Sequence, residues 1–172
     1  MSQIRPFMHG NRRGRGRGPA DEGQQPTLVE TIWPRYLEGG YFDEHGYLRP
    51  EYVSRERVEP LVEAMAKADP PLTMSQMRRF FQHCRRVEML LRQDKVAWEE
   101  VRPRILFLDA AAQYAVTRRQ GDKSDNKIPP LFFDFIRRNV AAVNNRADFL
   151  DGFVPHFEAL VGFGATYIKR NR

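Results

Sequence analysis

The amino-acid sequence predicts an all-α protein, a single compact bundle of five to six helices preceded by a flexible N-terminal arm. Apolar residues recur at helical spacing in several long segments, and no segment alternates apolar and polar residues as a strand would. Gly, Pro and Asn residues mark the boundaries between these segments. With 172 residues, the chain is long enough for one domain with a sizeable core.

Residues 1–25 differ in composition from the rest of the chain. They contain five arginines and two acidic residues, and core-forming side chains are nearly absent after Phe7 and Met8. Such a segment buries too little apolar surface to fold. We therefore predict a disordered Gly/Arg-rich arm at 1–25 and a helical-bundle domain at 26–172. Glycine–arginine segments can bind RNA through charge and stacking, and an inert solvated tail is the alternative.

Turn-forming residues divide the first part of the domain. A short helix is predicted from Thr27 to Leu37, broken near Pro34. A longer helix is predicted from about Pro50 to Ala68, and Pro60 either interrupts it or begins its second part.

The segment LTMSQMRRFFQHCRRVEMLLRQ has the clearest helical pattern in the chain. Thr73 and Gln76 have the spacing of an N-terminal capping box. At about 100° per residue, an apolar face and a basic face separate on opposite sides of this helix. The apolar face consists of Met77, Phe80, Phe81, Cys84, Val87 and Leu91. The basic face consists of Arg78, Arg79, Arg85, Arg86 and Arg92.

Three further helices are predicted in the second half of the chain. The first runs from Arg102 to Arg119, with Pro103 in its first turn. Its middle, ILFLDAAAQYAV, is apolar nearly all round, which predicts a central, buried helix. The other two run from Leu131 to Val143 and from about Ala147 to Tyr167, separated at Asn144-Asn145.

No arrangement of residues typical of an enzyme is visible in the sequence. The four histidines are scattered, and the single cysteine, Cys84, is expected in the core. We therefore predict no catalytic residue, no metal and no cofactor. Asp43-Glu44-His45 is the best acidic cluster. A polar turn is its simpler interpretation, and a small metal-dependent nuclease using these residues is a remote alternative.

The distribution of charge favours an anionic partner. The formal net charge is +6, with 23 Arg and 5 Lys, and a GC-rich genome explains this arginine excess equally well. On the helix with the basic face only Glu88 is acidic, so five arginines repel one another in one sector. RNA or DNA contact would relieve this repulsion. Acidic protein partners are the alternative, and they would make the protein an interaction module without RNA contact.

A second basic cluster surrounds the loop that follows the Arg102–Arg119 helix. For Arg118 and Arg119, interaction with the C-terminus of their own helix is a sufficient alternative explanation. The candidate RNA-binding residues of both clusters are Arg78, Arg79, Arg85, Arg86, Arg118, Arg119, Lys123 and Lys127.

Three features predict a cytoplasmic protein. No apolar run reaches the roughly 18 residues of a membrane span, and the arginine-rich N-terminus lacks the apolar core of a signal peptide. A single cysteine cannot form an internal disulfide.

Three segments resemble one known family. LTMSQMRRFF resembles the Leu-Thr-x-Ser-Gln-x-Arg motif that opens a central helix in the Csm-type small subunit of type III-A CRISPR effector complexes. RPRILFLDAAAQYAVTRR resembles the Tyr-containing helix of that family, which ends in Arg. FEALVGFGATYIKR is similar to its C-terminal helix, with matching places at Phe157, Glu158, Tyr167 and Lys169. Order and spacing agree over roughly residues 42–170.

The resemblance implies a helical bundle that is the non-catalytic small subunit of an RNA-guided antiviral effector. Copies of it would stack along the effector filament, beside the backbone subunits that hold the guide RNA and near the large subunit. Their basic surface would contact single-stranded target RNA, or its duplex with the guide, through phosphates. The resemblance assigns this role to Arg78 and Arg79 in the first motif and to Arg118 and Arg119 at the end of the second.

Overall fold

The described part of the chain contains five α-helices around one hydrophobic core. The computed structural model describes residues 27–93, 96–117 and 127–168, so the arm predicted at 1–25 lies outside the described residues. The helices are α1 Arg55–Lys67, α2 Met74–Arg92, α3 Trp98–Thr117, α4 Pro130–Ala142 and α5 Val154–Tyr167. Within these ranges there is no strand, only an isolated bridge between Phe42 and Leu48. The predicted all-α bundle of five to six helices is confirmed.

Helix α2 lies between two neighbours. It packs against α3 on one side and α5 on the other, while α1 packs on α5 and α3 packs on α4. The side chain of Gln76, near the start of α2, donates to the Lys127 carbonyl over 3.0 Å. The adjacent Ile128 N–H donates to the Ala115 carbonyl near the end of α3 over 3.3 Å. The start of α2 therefore lies beside the end of α3, and the two helices are antiparallel.

The prediction of a helix from Thr27 to Leu37 is wrong, because this segment folds as a series of turns. Arg35 and Leu37 have φ angles of +63° and +60°, in the left-handed region that a right-handed helix excludes. The segment is nonetheless well packed. Its buried side chains, Val29, Trp33 and Tyr36, belong to the main core, so tertiary contacts hold these turns in place.

The helix predicted from Pro50 to Ala68 is divided at a different residue from the one expected. A 3-10 helix, Pro50–Tyr52, comes first, and Ser54 then begins α1 with an extended backbone. Pro60 does not interrupt α1, of which it is the sixth residue. Proline has no backbone N–H to donate, so Pro60 leaves one carbonyl, that of Glu56 in the first turn, without its helical hydrogen bond.

The last predicted helix has two parts. Asp148–Phe153 is π-helical and leads directly into α5. Gly152, within the π-helix, lies against Tyr41, and a Cβ at this position would come within 2.6 Å of the Tyr41 ring. Gly164 in α5 packs closely in the same way, because its Cβ would lie 2.8 Å from Cε of Met77. Gly152 permits an approach of the backbone to the Tyr41 ring that a larger residue would obstruct, whereas the closest atom at Gly164 is the flexible end of the Met77 side chain.

A buried polar network joins the turn segment to the helices. The Tyr36 hydroxyl bonds Nε2 of His156 over 2.7 Å, and Nδ1 of His156 bonds the Tyr52 carbonyl over 2.6 Å. Because a carbonyl can only accept, Nδ1 carries the proton and Nε2 accepts from Tyr36. Asn139 donates to the Tyr36 hydroxyl over 2.7 Å and accepts from the Tyr41 hydroxyl over 2.8 Å. The network satisfies these buried polar side chains and fixes the neutral state of the histidine.

Candidate nucleic-acid interface

Helix α2 carries the predicted basic face, and its start is firmly fixed. The Thr73 side chain accepts from the Gln76 N–H over 3.2 Å, and the Gln76 side chain accepts from the Thr73 N–H over 2.9 Å. This is the predicted capping box. The predicted apolar face is also confirmed, since five of its six residues are buried and Phe81 packs partly buried against them.

The five arginines of the basic face are all exposed. Arg85 and Arg92 share one acidic partner, Glu88, whose carboxylate lies 2.7 Å from Arg85 and 2.8 Å from Arg92. The repulsion inferred from the sequence is therefore offset at these two positions. Arg78, Arg79 and Arg86 form no ion pair with any residue in the described ranges. These three arginines carry the uncompensated positive charge of α2.

Helix α3 buries one stripe and exposes the opposite face. The buried stripe, which faces α2 and α4, consists of Val101, Ile105, Leu108, Ala112 and Ala115. On the outer face Phe107 is 62% exposed and Tyr114 is 63% exposed. The prediction of a helix buried all round is therefore wrong, because only the stripe has neighbouring helices. The helix also begins at Trp98, four residues before the predicted start, so Pro103 is its sixth residue and lies beyond its first turn.

A groove of about 440 Å³ runs between α2 and α3. Arg79, His83 and Arg86 line it from α2, and Phe107 and Tyr114 line it from α3. Apolar side chains complete its lining: Phe80, Leu108, Ala110, Ala111 and Ala115. No acidic residue is among the described residues that line it.

His83 connects the two walls of the groove. Its Nε2 lies 2.8 Å from the Arg104 carbonyl on α3, which requires this nitrogen to donate. Its ring centroid lies 6.5 Å from that of Phe107, at an interplanar angle of 32°. The half-buried imidazole therefore positions the α3 wall relative to the arginines of α2.

The structure brings together only part of the predicted site. Arg79 and Arg86 line the groove, whereas Arg78 and Arg85 lie elsewhere on the exposed face of α2. Lys127 is exposed, and the bond from Gln76 to its carbonyl holds it near the start of α2. The other predicted residues, Arg118, Arg119 and Lys123, lie outside the described ranges.

Sequence reasoning did not identify the aromatic wall of the groove. Phe107 and Tyr114 lie seven residues apart, with Ala111 between them, so all three share one face of α3. This spacing is visible in the sequence. It was obscured because the whole segment is apolar, and apolar content alone does not show which face a neighbour covers.

The acidic cluster at Asp43 forms a turn. Asp43 Oδ1 accepts from the backbone N–H groups of His45 and Tyr47, each over 2.9 Å. Gly46 has a φ of +81°, as this tight turn requires. Within the described ranges, no group of three His, Cys, Asp or Glu residues is arranged to hold a metal ion. The polar-turn interpretation therefore accounts for the cluster.

Cys84 lies in a buried environment that disfavours its reactive form. Its side chain is buried in the core, and this burial raises the pKa of the thiol. The thiolate, which is the reactive form, is therefore disfavoured.

In the described ranges, no helix is sufficiently long and apolar to cross a membrane.

Together, the fold and the groove define a class: a small all-helical protein with a basic, aromatic-lined surface groove. The chain matches the family model Csm2 Type III-A over residues 55–170, and it therefore belongs to this family. The resemblance seen in the three sequence motifs is confirmed. The family consists of small structural subunits of type III-A CRISPR effector complexes. Neither a search of curated proteins nor a search of solved structures gave a significant match. The turn segment and the 3-10 helix, within residues 27–54, precede the region that the family model matches.

Proposed function

We propose that this protein binds RNA through the arginines of α2 and acts without catalysis of its own as the small subunit of its effector complex. One observation supports this most directly. Arg79 and Arg86 line one groove, and neither forms an ion pair with a described residue. Concentrated positive charge that no ion pair offsets is unfavourable until an anion approaches, and RNA phosphates supply that anion.

Within this proposal the eight predicted residues have different roles. Arg78, Arg79 and Arg86 make the main phosphate contacts, because no ion pair with a described residue compensates their charge. Arg85 contributes less, since Glu88 already holds it. The remaining predicted residues stay proposed phosphate contacts on the sequence pattern alone, and only the last of them is described by the structure: Arg118, Arg119, Lys123 and Lys127.

Family membership supports the proposed partners, because it makes this chain a subunit of a type III-A effector complex. They are the guide RNA and single-stranded target RNA, the backbone and large subunits of the effector complex, and neighbouring copies of this chain stacked along the filament. Phosphate contacts carry no sequence information. The protein therefore binds RNA without regard to sequence, and base pairing with the guide supplies specificity.

The test compares two double variants of the full chain that lose the same charge. Arg79→Gln/Arg86→Gln removes two groove arginines. Arg57→Gln/Arg102→Gln removes two exposed arginines that do not line the groove. Fluorescence anisotropy with single-stranded RNA over a salt series gives the slope of log affinity against log salt. The slope changes by about 0.7 for each phosphate contact with a single strand.

We expect the groove variant to lose about 1.4 from the slope and roughly fivefold in affinity per contact at about 0.1 M salt. The loss should be equal for unrelated RNA sequences, and the control variant should lose clearly less. Equal losses in the two variants would show that net charge alone attracts RNA. A strong preference of the wild-type protein for one sequence would also contradict the proposal.

A protein-interaction module without RNA contact is the second candidate. Leu106 is 49% exposed and Met89 is 56% exposed, which gives α2 and α3 apolar surface beside the arginines. Charge reversal, Arg79→Glu/Arg86→Glu, distinguishes the two functions. Loss of assembly with purified effector subunits while RNA affinity stays unchanged would favour the interaction module.

A further inference from the structure

We infer that the α2–α3 groove binds unpaired nucleobases, with Phe107 and Tyr114 as the stacking surface, and so selects single-stranded over duplex RNA. This inference rests on the proposed RNA binding and adds to it. The α2 arginines explain attraction to phosphate, which any nucleic acid offers. They do not explain why two aromatic rings line the same groove and remain more than three-fifths exposed.

The exposure of the two rings is unusual for their surroundings. The other phenylalanines of the described helices are buried or packed partly buried against the core. Phe107 leaves 62% of its surface in water, although smaller residues, Ala112 and Ala115, fill the core positions of the same helix. Single exposed apolar residues need no explanation. Two exposed aromatic side chains that line the same groove as two arginines do need an explanation.

The two walls of the groove repeat at the same spacing. Arg79 and Arg86 are seven residues apart on α2, and Phe107 and Tyr114 are seven residues apart on α3. Seven residues are about two helical turns, or roughly 10 Å along the helix axis. The two helices run side by side in opposite directions. The α2 wall therefore offers two arginines, and the α3 wall two aromatic rings, along the length of the groove. A polymer with alternating anionic and aromatic groups matches this arrangement.

The chemistry of the lining favours single-stranded RNA as the occupant. Arginine binds phosphate through its planar, charged fork, and exposed aromatic rings stack on bases. The described lining contains no acidic residue to repel a polyanion. The volume of about 440 Å³ lies within the range of small-molecule sites, and both rings that line the groove are more than half exposed. Bases inside a duplex are stacked on one another and cannot reach these rings.

The experiment combines a change in the protein with removal of bases from the RNA. Full-length wild-type protein, Phe107→Ala/Tyr114→Ala and Leu106→Ala are titrated with a non-self-complementary single strand. Each is also titrated with the same strand carrying abasic riboses, which keep every phosphate. Leu106→Ala is the matched control, because Leu106 is an exposed apolar residue of α3 that does not line the groove. Any contribution of residues 1–25 is the same in all three proteins and cancels.

Base removal should weaken binding to the wild-type protein and to Leu106→Ala by about tenfold or more, as expected for the loss of base–aromatic stacking. It should weaken binding to the double variant by less than about twofold. Restoring aromatic rings with Phe107→Tyr/Tyr114→Phe should restore the dependence on bases. Circular dichroism and the unfolding midpoint verify that each variant folds.

Each other outcome overturns the inference in a distinct way. If base removal weakens all the proteins equally while binding stays salt-dependent, the bases are bound elsewhere and the proposed phosphate contacts stand. If none of the proteins binds either strand, the proposed RNA contact fails as well. If base removal affects none of them and only the wild type self-associates with rising concentration, the groove is a contact between copies of this chain.

Discussion

The hydroxyl of Tyr36 donates to Nε2 of His156 over 2.7 Å, which links a turn that precedes the family-matched region to the helix that closes the bundle. Both side chains are fully buried. Burial lowers the pKa of His156 to about 4, and it raises the pKa of the Tyr36 hydroxyl. The network therefore requires a neutral histidine, and this requirement makes stability depend on pH.

We predict that the protein loses stability as the pH falls from about 6.5 towards 4. The folded pKa of His156 is depressed, so the unfolded chain binds more protons in this window and stability rises with pH. The shift from 6.5 to about 4 corresponds to about 3 kcal/mol in the free energy of unfolding. Urea unfolding at a series of pH values measures it.

The control for this prediction separates His156 from carboxyl groups that titrate at similar pH. His45→Gln removes an exposed histidine that lies outside the buried network and serves as the matched control. His156→Phe should start from a lower stability and show a flatter profile between pH 6.5 and 4. A wild-type profile no steeper than that of His156→Phe would contradict the depressed pKa.

Two glycine substitutions should have opposite effects on stability. A Cβ at Gly152 would lie 2.6 Å from a ring carbon of Tyr41, whose hydroxyl is held by Asn139. Gly152→Ala should therefore destabilise the protein by about 1–3 kcal/mol through overpacking. Gly162 in α5 has open space around its Cβ position, so Gly162→Ala should stabilise the helix by about 0.5–1 kcal/mol.

Chemical denaturation of both variants beside the wild-type protein measures this difference. A stability of Gly152→Ala at or above that of wild type would show that residues around Tyr41 do not pack firmly against the π-helix. Gly162→Ala serves as the internal reference in this experiment, because it tests helix propensity without creating a new contact.

Removing the carboxylate of Glu88 should strengthen RNA binding. Glu88 pairs with Arg85 and Arg92, so Glu88→Gln releases two arginines towards an anionic partner. Affinity should rise by up to about fivefold for each new phosphate contact, and the salt slope should steepen. Glu56→Gln changes the same charge on an exposed position of α1 and should have a smaller effect. Equal effects of the two substitutions would exclude Arg85 and Arg92 from the RNA-binding surface.

Local sequence patterns were sufficient to predict α2. The capping-box spacing of Thr73 and Gln76 fixed where the helix starts, and the apolar periodicity fixed which face lies inside. Both signals involve residues at most one or two turns apart, so they act within the helix whatever packs around it. The three family motifs were recognisable for the same reason, since they lie on local stretches of chain.

The turn segment and the outer face of α3 could not be predicted in this way. Arg35 and Leu37 adopt left-handed backbone angles because the side chains around them are anchored in a core formed mostly by distant helices. In α3, the apolar sequence suggested burial on every side, and only the positions of α2 and α4 determine which side remains open.

The sequence by itself determined the all-helical class, the family and the arginine face of α2, because periodicity, capping and charge are properties of neighbouring residues. Only the tertiary structure determined that Arg79 and Arg86 share a groove with Phe107 and Tyr114, and that His156 is buried against Tyr36. These relationships join residues far apart in the chain. They depend on how helices pack, and no local pattern specifies which faces meet.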